Sequence, residues 1–164
     1  MVIKVVKGAG EASTPLSAFD AALNDAGVCN YNLITLSSVI PPNSQVEKID
    51  RYETPESHWG YKLYCVMAEE RCNEAGKFIA AGVGWYQLDD GRGLFVEHHL
   101  IGDTRLAVDS ELHFRIVNSL KDLCRFRDIE FEDKRLNMEV SINQVKGAPA
   151  SVLVMAIYQA EGWE

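Results

Sequence analysis

The most constraining stretch is the run GWYQLDDGRGLFVEHHL, residues 84–100, in which two apolar, β-branched and aromatic segments flank Asp90-Gly91. Asp-Gly between two such segments is a strong hairpin signal, because the central turn residues must adopt positive φ. Residues 77–88 and 94–101 are therefore expected to pair antiparallel. A strand of ten or so residues presents an apolar face that has to be covered, so this hairpin requires a sheet with something packed on it.

The flanking sequence supplies that cover. Thr14-Pro15 opens a helix, with Thr as N-cap and Pro in the first turn, and Gly27 closes it. Leu16, Phe19, Leu23 and Ala26 recur on it at helical spacing. Residues 109–126 read as a second helix with Leu112, Ile116, Leu120, Leu123 and Cys124 on one face, capped by Asp109 or Ser110. Strands are expected over residues 2–6, 28–36, 61–68, 138–145 and 152–158. Between the first strand and first helix, GAGEAS reads as a flexible glycine-rich connector. Its lone Gly8-x-Gly10 lacks the remainder of a phosphate loop. The order is βαβ, three strands, a helix and two strands, the pattern of an α/β fold in which helices flank a mixed sheet. At 164 residues, with no repeat or linker, one domain spanning residues 1–164 is expected.

Several function classes are set aside by composition. A net charge of -8 argues against nucleic-acid binding, which needs clustered Lys and Arg. No segment approaches bilayer length, so no membrane association is expected and the localisation reading is cytoplasmic. Cys29, Cys65, Cys72 and Cys124 fit no zinc spacing and read as free thiols, largely buried. His98 and His99 are neighbours on a strand and point to opposite faces, so they cannot share an ion; one is expected packed and one exposed. His58 and His113 read as surface residues, and Trp85 and Tyr86 as core or subunit contacts.

The chemistry concentrates at NLITLSSVIPP, residues 32–42, where an apolar strand runs into two serines and a double proline. Ser37-Ser38 can form a hydrogen-bonded turn. The alternative is reactive. A Ser38 hydroxyl facing the Ser37 carbonyl carbon can attack its own preceding peptide bond, giving an ester. Elimination and hydrolysis then leave a pyruvoyl group at residue 38 and release ammonia. Such a step needs a strained peptide and an oxyanion donor. Strand alternation would put Asn32 and Ser38 on one side, with the Asn32 amide available to polarise the carbonyl. Glu97, within LFVEHHL, is either a solvent-facing residue or a buried carboxyl whose raised pKa keeps it protonated.

Four pieces, AFDAALNDAG, YNLITLSSVIPP, GWYQ and GLFVEHH, resemble the pyruvoyl-dependent arginine decarboxylases in order and spacing. The resemblance implies a layered α/β sandwich related to the pyruvoyl histidine decarboxylases. It implies self-cleavage between Ser37 and Ser38 into fragments 1–37 and 38–164, which stay associated. Ser38 would become the pyruvoyl group, with Asn32 assisting, and neither PLP nor a metal would be needed. The substrate amine would form a Schiff base with that group, and Glu97 would protonate the carbanion left by loss of carbon dioxide. Asp20 would bind the guanidinium of L-arginine through two parallel hydrogen bonds, with Ser37 and Ile40 also lining the substrate site. The product would be agmatine, on a route to polyamines or acid resistance. Homotrimers, or pairs of trimers, would form the active site between neighbouring subunits. The competing readings are the same chemistry on another amino acid, such as histidine, and an unprocessed binding or regulatory subunit of the same fold.

Overall fold

A computed structural model describes all residues, 1–164. Nine strands and two long helices form four layers, helix–sheet–sheet–helix. The strands are β1 (Val2–Glu11), β2 (Asn32–Thr35), β3 (Val39–Ile40), β4 (Gln45–Lys48), β5 (Lys62–Cys72), β6 (Phe78–Gln87), β7 (Gly93–Gly102), β8 (Leu136–Gln144) and β9 (Ala150–Glu161). The helices are α1 (Pro15–Ala26) and α2 (Arg105–Arg125). One sheet is mixed, in the order β2-β5-β9-β1-β4, and the other is antiparallel, in the order β3-β7-β6-β8. The expected α/β sandwich with flanking helices is thus the observed architecture.

Three apolar layers hold it together. Ile3, Val5, Val66, Ile79, Val83, Phe95 and Val154 fill the space between the two sheets. Ala22, Leu23, Ala26, Leu63 and Met155 lie between α1 and the outer face of the mixed sheet. Leu112, Ile116 and Leu120 of α2 cover the antiparallel sheet. The hairpin forms where the Asp-Gly signal places it, with Trp85 opposite Phe95 and Gly91 at φ 84°. Trp85 and Tyr86 are both buried in the core.

Helix α1 keeps its expected ends: Thr14 and Ser17 form a reciprocal capping box, and Gly27 closes it at φ 87°. Its buried face is different. Ala18, Ala22, Leu23 and Ala26 are buried, whereas Leu16 is 69% exposed. The cause lies beneath it. The GAGE segment is not a connector but the continuation of β1, paired with β9 as far as Glu11–Ala150. A Cβ on Gly8 would stand 2.1 Å from the Ala22 carbonyl oxygen, and one on Gly10 2.5 Å from the Ala22 nitrogen. Two glycines and a row of alanines let helix and sheet approach closely, and that contact, rather than hydrophobicity alone, sets which face turns inward.

Helix α2 begins a turn earlier than the apolar stripe suggests. Thr104 caps it by accepting from the Ala107 N–H, and Val108 is already buried. The strand expected over residues 28–36 shrinks to β2, because Val28 and Tyr31 are buried in the α1 layer through a turn.

Candidate active site

The Ser37-Ser38 peptide crosses from one sheet to the other. The Leu36 N–H donates to the Cys65 carbonyl of β5 at 2.9 Å, whereas the Ser38 carbonyl accepts from the Phe95 N–H of β7 at 2.8 Å. Residues 36 and 38 are therefore anchored on different sheets with one residue between them. Ser38 meets that demand by taking φ 68°, one of three non-glycine residues in the left-handed region. Such a conformation costs about 1–3 kcal/mol and persists only where surrounding contacts impose it.

Those contacts are specific. The Ser38 hydroxyl donates to the Glu97 carboxylate, 3.0 and 2.9 Å from its two oxygens. On β7, Phe95 belongs to the inter-sheet core, so alternation sends Glu97 and His99 to the same side and His98 towards α2. His98 is half-buried against Ser119 of α2 at 2.8 Å, and exposed His99 meets Glu70 of β5 at 2.7 Å. The two histidines do face apart. Glu97 has an open side, yet partial burial raises its pKa above the ordinary 4.5, opposed by the Ser38 hydroxyl, which favours the ionised form. Tyr158 of β9 completes the group. Its hydroxyl donates to the Val39 carbonyl at 2.9 Å, and its ring meets Phe95 edge-on at 6.1 Å. Burial, and then the Glu97 charge, push the Tyr158 phenol up, so it stays a donor.

A family model described as pyruvoyl-dependent arginine decarboxylase matches residues 2–162. The chain belongs to this family. It is 40% identical over 102 residues to the pyruvoyl-dependent arginine decarboxylase of Methanococcoides burtonii, covering 60% of this chain and 56% of that one. With the enzyme of that name from Halobacterium salinarum strain R1 it shares 41% over 96 residues, 58% of each chain. With that of Thermoplasma volcanium it shares 33% over 106 residues, 63% of this chain and 58% of the relative. The chain thus spans little more than half the length of these curated relatives.

Within one chain, this pyruvoyl-dependent arginine decarboxylase family member brings together Ser38 and Glu97 and leaves the other sequence candidates apart. Asn32 sits at the far end of β2, where its amide donates to the Gly60 carbonyl at 2.7 Å, not towards Ser37 or Ser38. The single strand expected to align residues 32 and 38 ends at Thr35, so their shared face is lost. Asp20 is exposed on α1, outside the mixed sheet, with no ion-pair partner. Ile40 is 1% exposed and belongs to the inter-sheet core, so the open apolar side chain next to Ser38 is Val39. Ser37 is exposed. Val39 and Ile40 also wall a cavity of about 320 Å³ with Leu88, Leu94 and Ile129, bordered by Arg92 and Arg127. Two guanidinium groups make that cavity a poor place for a cationic substrate side chain.

Sequence reasoning missed Tyr158 and the Phe95 N–H. A lone Tyr late in an apolar strand carries no signal, and a backbone donor carries none at all. His58, expected on the surface, is instead half-buried, stacked on Tyr61 at 4.7 Å and bonded to the Tyr31 hydroxyl at 3.0 Å. All four cysteines are free, with Cys65 and Cys124 buried, and burial pushes the Cys65 thiol up to about 12. No group of three or more His, Cys, Asp or Glu is placed to hold a metal ion, and no helix is long and apolar enough to cross a membrane.

Proposed function

We propose that the chain cleaves itself between Ser37 and Ser38, converts Ser38 to a pyruvoyl group, and then decarboxylates L-arginine to agmatine. The observation that carries this reading is the state of Ser38. It is a non-glycine residue in the left-handed region, its hydroxyl is fixed on Glu97, and its carbonyl is fixed on the Phe95 N–H.

The fold also suits a chain in two pieces. Strand β1 lies between β9 and β4, and both neighbours follow the cut. Fragment 1–37 would therefore be hydrogen-bonded on two sides within the mixed sheet, with α1 packed over it. Separation would require that sheet to unfold. Because Leu36 and Ser38 are anchored on different sheets, scission would also release the strain at residue 38 without loosening either anchor.

A ketone at residue 38 supplies an electrophile for the substrate amine and an electron sink for loss of carbon dioxide. The chain's own groups do the rest. The Phe95 N–H stands on the residue 38 carbonyl, where it stabilises negative charge drawn into the conjugated amide. Glu97, with its raised pKa, delivers a proton to Cα, a step worth about 10²–10⁴-fold in rate. Asp20 selects the guanidinium and Asn32 assists cleavage, both supplied by an adjacent subunit of a trimer or a pair of trimers. In support of a shared site, β3 pairs with β7 only at Gly93 and Leu94, leaving the outer edge of β7 open beside Glu97. Val39, next to Ser38, is 53% exposed within the single chain.

Intact-mass measurement of natively prepared protein tests the reading. Two fragments are expected, the second beginning with a blocked residue 38, together with release of carbon dioxide from arginine and not from histidine, lysine or ornithine. Ser38→Ala should give one uncut, inactive chain. Cleavage of that variant at the same bond would remove Ser38 as the nucleophile, and an uncut wild-type chain would favour the binding-subunit reading.

A further inference from the structure

We infer that Tyr158 is a positioning residue for the self-cleavage, holding Ser38 in its reactive conformation through the Val39 carbonyl. This rests on the proposed cleavage at Ser37-Ser38. Tyr158 lies 120 positions after Ser38 in the sequence, on β9 in the mixed sheet, whereas Glu97 and Phe95 belong to β7 in the other sheet.

Two consecutive carbonyls after the scissile bond are thus held from opposite sheets. The Ser38 carbonyl accepts from the Phe95 N–H at 2.8 Å, and the Val39 carbonyl accepts from the Tyr158 hydroxyl at 2.9 Å. Together they fix the two successive peptides on either side of Val39, 38–39 and 39–40. With both held, Ser38 has little freedom to return to negative φ, and its hydroxyl stays on Glu97. The Phe95 ring, edge-on to Tyr158 at 6.1 Å and 65°, sets the phenol direction, so one residue supports both anchors. A half-buried strand-end serine with only the Phe95 contact would relax by rotating about its own φ, since the left-handed state is costly for a residue with a Cβ.

Tyr158 is not a catalytic residue in this scheme: its hydroxyl touches the Val39 carbonyl and neither the attacked carbonyl nor the Ser38 hydroxyl. Its effect is on the fraction of chains in the attacking geometry. Loss of one well-formed hydrogen bond corresponds to a change of about tenfold in that fraction.

The test is a time course of maturation of newly synthesised chain in cell-free translation, following conversion of the full-length band to fragments. Three proteins are compared: wild type, Tyr158→Phe, and a chain with para-aminophenylalanine at position 158, which restores a donor on the same ring. Thermal midpoints are measured in parallel. The expected result is cleavage about tenfold slower in Tyr158→Phe, with fold retained, and recovery to within about twofold with the amino group. Equal rates in wild type and Tyr158→Phe would overturn the inference, as would an amino variant as slow as the Phe variant. Joint loss of fold and cleavage in Tyr158→Phe would also overturn it, by making the hydroxyl a structural requirement. Failure of the underlying reading looks different: the wild-type chain itself would remain whole.

Discussion

Replacing Gly8 by alanine puts a methyl carbon 2.1 Å from the Ala22 carbonyl oxygen, where real contacts are essentially never under 3.0 Å. The obstructing atom is helix backbone, so no rotamer change relieves it; α1 must lift from the sheet by about 1 Å. A gap of that size forfeits roughly a quarter to a half of the dispersion attraction of each contact it opens. The affected layer includes Ala22, Leu23, Ala26, Leu63 and Met155. Overpacking of this kind costs about 3 kcal/mol, and the stiffer unfolded chain returns only about 0.5, leaving a loss of about 2.5 kcal/mol. With a urea slope of about 2 kcal/mol/M, the midpoint should fall by roughly 1 M. The measurement belongs in the Ser38→Ala background, which keeps the chain in one piece, at fixed protein concentration. In the maturing protein, Gly8→Ala should leave cleavage intact, because Ser38, Glu97, Phe95 and Tyr158 lie away from α1. It should raise KM for arginine, since α1 carries Asp20, the proposed guanidinium ligand. A midpoint shift below about 0.2 M would refute the close-approach argument.

Glu97→Gln should mature normally, because the amide oxygen still accepts from the Ser38 hydroxyl, while decarboxylation falls by about 10²–10⁴-fold; undiminished turnover would remove Glu97 from the mechanism. Wild-type turnover should decline as pH rises through the raised Glu97 pKa, because the proposed acid is the protonated carboxyl; a kcat profile flat across that limb would argue against it. The same shift gives a stability term present below the ordinary carboxylate pKa and lost as pH rises through the folded value. Asp20→Asn should raise KM for arginine by about tenfold or more without slowing cleavage, read by carbon dioxide release and intact mass; an unchanged KM would place the guanidinium elsewhere.

Much of the candidate site was legible because the residues that suggest its chemistry are local in sequence. Ser37-Ser38 before Val-Ile-Pro-Pro, and a carboxylate inside an apolar strand, stand out without coordinates. Asn32 and Asp20 were legible only as residue types, and one chain leaves both away from Ser38. The edge strands β3 and β4 were missed for a plain reason: two residues in one, and in the other a QVEK segment with only Val46 half-buried, give no periodicity to read.

What the sequence by itself determined are the features that act within a few residues: the Thr14–Ser17 cap, the Gly27 stop, the Asp90-Gly91 turn and the apolar stripe of α2. Each follows from backbone sterics or a short side-chain hydrogen bond, and needs no knowledge of what lies across the fold. Only the tertiary structure decided that GAGE is strand, that α1 turns its alanines inward, and that Ser38 bonds a carboxylate 59 residues away. It also decided that the Ser37-Ser38 peptide bridges two sheets, with the Cys65 carbonyl of β5 holding Leu36 before it and the Phe95 N–H of β7 holding Ser38 after it. Those outcomes depend on which surfaces meet. The backbone strain at Ser38 exists because two separately anchored sheets leave one residue to span the gap.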